Sequence, residues 1–97
     1  MAVDLASVAA ADFQPHVRSL FRMEADGPLQ LTLMSVNERP GPGTRRQPFS
    51  LLFLGPADPV LPQRIYRLEH DVLGLLEIFL VPIGRDEDGT TYEAVFA

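Results

Sequence analysis

Glu69, His70 and Asp71 are the consecutive side chains best equipped for acid–base or metal chemistry in this sequence, with Tyr66 shortly before them. An imidazole among carboxylates can relay a proton near neutral pH or ligate a cation. The spacing argues against it. Neighbouring side chains of an extended strand point to opposite faces, so Glu69 and Asp71 face away from His70 unless a bulge gathers them. The triplet therefore reads as strand-end and turn polarity. His16 is the second imidazole, and no HExxH pattern accompanies either.

Other chemistry fares no better. Ser50 lies between Phe49 and Leu51 with no GxSxG context, so it reads as a strand hydroxyl. The acidic run Asp86, Glu87, Asp88 lacks the alternating oxygen ligands of a calcium loop and reads as a solvated turn. Arg39, Arg45 and Arg46 form the local basic concentration, in the proline- and glycine-rich stretch NERPGPGTRRQP. No Gly-Lys-Ser/Thr follows its GPG, so it is not a phosphate cradle. These three arginines, with Tyr66 and His70, are the candidate interaction residues. No catalytic set, metal site or cofactor is assigned.

Composition narrows the field further. A formal net charge of -5 disfavours docking along a nucleic-acid backbone. Every basic side chain is arginine, which offers planar hydrogen-bonding forks but no amine for Schiff-base chemistry. Without cysteine there is neither a disulfide nor a thiolate nucleophile. The longest apolar run, Leu75 to Ile83, contains Glu77 and is too short for a membrane helix. The N-terminus has Asp4 and no basic stretch before its mildly apolar run, unlike a signal peptide. These features predict a soluble single domain over residues 1–97.

The elements that must position any site follow from period-two alternation. Leu5 to Phe13 predicts a short helix, capped by Asp4 and ended by Pro15. Extended segments are predicted over His16 to Glu24, Leu29 to Val36, Phe49 to Leu54, Arg64 to His70, Leu75 to Ile83 and Thr91 to Phe96. Val36 breaks the alternation of its strand, and Pro82 calls for an edge, bulge or strand end. Turns at Asp26-Gly27, Asn37 to Gln47 and Asp86 to Thr90 favour hairpins, and the link between the third and fourth strands is expected to cross one end. The predicted fold is mainly β: a small antiparallel barrel or sandwich of about six strands behind a short N-terminal helix. A two-layer α/β arrangement is the alternative.

At PFSLLFLGP (Pro48 to Pro56), LPQRIYRLEH (Leu61 to His70), LEIFLVPIG (Leu76 to Gly84) and YEAVF (Tyr92 to Phe96), the sequence resembles an uncharacterised family of small bacterial proteins. Members are often found near phage-tail-collar-like, microcystin-dependent-type proteins. The resemblance brings no catalytic residues. It implies a structural or protein-interaction role in a phage-tail-like assembly, with a homo-oligomer or a neighbouring tail-like protein as partner, in the cytoplasm or a tail-like particle. Apolar residues on both faces of several strands point the same way. The alternative is a small-molecule-binding or hydrolytic domain using Tyr66 and His70.

Overall fold

The computed structural model describes residues 8–25, 27–38 and 48–96. Arg39, Arg45 and Arg46 lie outside them, as does the predicted cap Asp4. Helix α1 (Ala10–Phe13) passes directly into a 3-10 turn (Gln14–His16) containing Pro15, and six strands follow: β1 (Leu20–Glu24), β2 (Pro28–Glu38), β3 (Phe49–Gly55), β4 (Arg64–His70), β5 (Gly74–Asp86) and β6 (Gly89–Phe96). The strands close into an antiparallel barrel in the order β1-β2-β3-β6-β5-β4. It is two three-stranded meanders set side by side, which is the predicted barrel.

Alternation decides which residues fill it. Phe49, Leu51 and Phe53 on β3, Leu76, Ile78 and Leu80 on β5, and Tyr92, Ala94 and Phe96 on β6 are buried in the interior. Their sequence neighbours alternate to the other face, where Ser50 alone among the described ones is also buried. The phase break on β2 is a register shift between Leu33 and Ser35, and β5 carries another between Pro82 and Gly84. A bulge absorbs a proline that a regular central ladder would exclude. β5 runs past it and changes partner, pairing with β4 up to Leu80 and with β6 from Val81.

Each barrel end is sealed differently. At one, Phe13 of α1 is fully buried with its ring centroid 6.0 Å from those of Phe49 and Phe96, which stack on each other at 4.6 Å. The helix is held at its start by the Ala9 N–H, which donates to the Asp12 carboxylate at 2.7 Å. At the other end the β3–β4 link crosses over, placing β6 rather than β4 beside β3. The Leu61 N–H donates to the buried Tyr92 hydroxyl at 2.9 Å, and the Thr90 hydroxyl to the Ala57 carbonyl at 3.3 Å, pinning that link to β6.

One expectation shifts. Residues 16–19 do not extend β1: the chain turns through Arg18, whose φ of 81° lies in the left-handed region, before entering the strand. That conformation costs a non-glycine residue about 1–2 kcal/mol. It is secured where the Arg18 N–H donates to the Leu33 carbonyl at 2.7 Å and the Leu33 N–H to the Ser19 carbonyl at 3.1 Å. The consequence is that Ser19 faces the end of β4.

Candidate functional site

His70 ends β4 on the inward phase set by Tyr66 and Leu68, and is 5% exposed. Its Nδ1 accepts the N–H of Val72 at 3.0 Å and of Leu73 at 3.1 Å, so that nitrogen carries its lone pair inward to the turn. The proton therefore sits on Nε2, which donates to the Ser19 hydroxyl at 2.9 Å. Ser19 in turn donates its hydroxyl proton to the His16 carbonyl. The His16 and Phe21 rings close over the imidazole, with centroids 4.7 and 4.5 Å away.

A serine beside an imidazole invites a nucleophilic reading, but the proton flow is reversed. A general base needs a free lone pair facing the hydroxyl and an acceptor behind Nδ1–H. Here the lone pair faces two backbone donors and the hydroxyl receives the Nε2 proton. The arrangement instead ties the β4–β5 turn to the chain before β1. Glu69 and Asp71 point outward, as alternation requires, and pair with Arg22 at 3.4 and 2.9 Å. Among the described residues no cluster of metal-ligating side chains occurs.

Burial holds the His70 pKa below its ordinary 6.5, with His16 and Arg22 pushing the same way and Asp71 opposing. Protonation would also set an Nδ1–H against two N–H donors. Because the folded pKa lies below the unfolded one, the unfolded chain takes up the proton first. The His70 contribution is thus intact above about pH 6.5 and falls away as the pH drops from there towards the folded value. Urea midpoints should fall from pH 7.5 to pH 5, and more steeply for the native chain than for His70→Gln. His70→Ala, which strands the Val72 and Leu73 N–H groups, should cost about 2 kcal/mol at pH 7.5.

Tyr66 serves elsewhere. Its ring is buried and its hydroxyl donates to the Pro62 carbonyl at 2.6 Å, while burial pushes the phenol pKa up. It lines a groove of about 720 Å³ between β1 and β4, with Arg22, Met23, Leu29, Arg64 and Ile65 among the walls; His70 is not part of it. The two candidates from β4 therefore serve different sites, which the shared inward phase alone does not reveal.

The groove marks the weakest joint of the barrel. β3 and β6 pair continuously from Phe49↔Phe96 to Gly55↔Thr90, whereas β1 and β4 are bridged at Arg22↔Glu69 alone. Next to it, on the outer face, Ile65 of β4 stands directly opposite Phe79 of β5, and the two are 64% and 50% exposed. Sequence alternation places both residues away from the interior, but only the β4–β5 register makes them neighbours.

Among the described residues no helix is long and apolar enough to cross a membrane. No curated protein and no solved structure matches the chain. A family does match, over residues 8–96, from the helix through the last strand, and the chain belongs to it: the family described as "Domain of unknown function (DUF6916)".

Proposed function

We propose that this barrel is a non-enzymatic protein-interaction or structural domain that docks through the outer face of the β4–β5 hairpin. The observation that carries this reading is the Ile65–Phe79 pair, two large apolar side chains directly opposite each other and left in water. Isolated exposed apolar residues are ordinary, but a cross-strand pair is a compact anchor of the kind interfaces bury. Half-buried Leu75 and Val81 extend the same face along β5, and Arg67 and Glu77, also opposite each other, supply its polar rim. The resemblance to proteins encoded near tail-collar-like genes supports a phage-tail-like assembly as the setting. The hydrogen-bond commitments of Tyr66 and His70 favour this reading over a hydrolytic one.

Light scattering tests it. Mass should rise above the 10.7 kDa protomer with concentration, or on mixing with a purified phage-tail-collar-like protein. Phe79→Asp should weaken that association about tenfold or more while leaving the thermal midpoint nearly unchanged, as expected for a surface site. A protein that stays monomeric under both conditions would refute the reading.

A further inference from the structure

The groove beside the Ile65–Phe79 face has features of its own. Arg64 to Arg67 pair with β5 through Leu80 to Glu77, and their other edge looks across the groove towards β1 without a strand partner. An unpartnered edge presents alternating N–H and C=O groups at the spacing an extended chain can match. The apolar part of the lining includes Met23, Leu29, Ile65 and Leu75.

Charge identifies what would enter. Of the arginines on the groove, Arg22 is already paired with Glu69 and Asp71, whereas Arg64 and Arg67 have no ion-pair partner among the described residues. Against these two guanidiniums the described lining sets Glu24 as its one uncommitted carboxylate. The groove is thus locally basic on a chain of net charge -5.

From these observations we infer that the β1–β4 seam takes up an extended acidic segment of a partner protein as an added strand on the Arg64–Arg67 edge. Alternation sets Ile65 and Arg67 on the outer face of that edge and Arg64 on the inner one, in phase with Tyr66. Each face of the added strand would therefore carry both an apolar residue, against Ile65 outside or Leu29 inside, and a carboxylate, against Arg67 outside or Arg64 inside. Ile65 belongs both to the seam and to the outer anchor, so one partner can engage the two together. This inference rests on the interaction reading above and specifies its partner.

The test uses the full chain and two fluorescein-labelled ten-residue peptides. In one, pairs of valines alternate with Asp-Glu pairs, which sets acids opposite both Arg64 and Arg67; the other has lysine pairs in place of the acidic ones. Fluorescence anisotropy should show saturable binding of the acidic peptide, about tenfold tighter than the lysine peptide at low salt. Arg64→Glu/Arg67→Glu should invert that preference, and the milder Arg64→Gln/Arg67→Gln should level it; melting curves confirm that both variants fold. Hydrogen exchange at residues 64–67 should slow when the acidic peptide is added. No saturable binding, equal affinity for both peptides, or protection elsewhere would overturn the inference. Charge reversal that abolishes self-association without affecting the peptide would also overturn it, making a second copy the occupant. If instead the peptides fail while association through Phe79 persists, the interaction reading stands and strand addition alone is wrong.

Discussion

Phe13→Ala is expected to remove about 3–5 kcal/mol of folding stability, a large share of what a domain of this size typically has. The ring is completely buried and closes one barrel end against the stacked Phe49 and Phe96 rings. A helix as short as α1 has no stability of its own, because so few residues barely offset the cost of nucleation. Its position therefore depends on this anchor. Truncation leaves a cavity and also frees the α1 segment, so amide exchange there should rise more than in β3 or β5. Phe13→Leu, which keeps most of the volume, should cost under about 1.5 kcal/mol. Urea unfolding followed by circular dichroism measures all three proteins. A loss within about 0.5 kcal/mol for the alanine variant would show that the ring does not anchor this end of the barrel.

Gly89→Ala should be nearly as damaging, at about 3 kcal/mol or more, by a different route. Gly89 opens β6 with a φ of +141°, and an added Cβ would collide with the Gly55 carbonyl oxygen of β3 and come within 3.1 Å of Leu54 Cδ1. Carbonyl oxygens of a paired strand cannot step aside as a side-chain end can. Two other glycines separate the causes. Gly27 also has a positive φ, +121°, but a Cβ added there would meet nothing within 4 Å, so Gly27→Ala carries backbone strain without a clash. Gly84 has neither feature, and Gly84→Ala should be close to neutral. Thermal melts ranking Gly84→Ala above Gly27→Ala above Gly89→Ala would confirm both contributions; equal melts would refute them.

The interior is legible in the sequence because a sheet with one dry face writes its pattern into every second residue. Tyr66 and Leu68, or Leu76, Ile78 and Leu80, can be assigned inward without knowing which strands they face. The bulges are legible too, through Val36 out of phase and Pro82 in a strand, since each breaks a rule that a regular ladder obeys. Strand order is less accessible. The neighbour of β3 is settled by where the crossing link lands, which depends on long-range pairs such as Leu61 with Tyr92. Parity with Tyr66 and Leu68 puts His70 on the correct side of its strand, with Glu69 and Asp71 opposite. Its partner Ser19, 51 positions away, is brought to it by the left-handed turn at Arg18, and no local propensity marks an arginine for that conformation. The groove is hidden for a related reason: a missing pairing between distant strands leaves no trace in either one.

The unequal joints between the two meanders also set an order of assembly. Within each meander, strands adjacent in sequence pair, so β1–β2–β3 and β4–β5–β6 can each form by closing short loops. The continuous β3–β6 ladder then acts as a hinge that brings the halves together. The lone Arg22↔Glu69 bridge is the clasp, and little is gained from it until the hinge is made. Substitutions along β3 and β6 should consequently slow folding, whereas those at the clasp should chiefly speed unfolding.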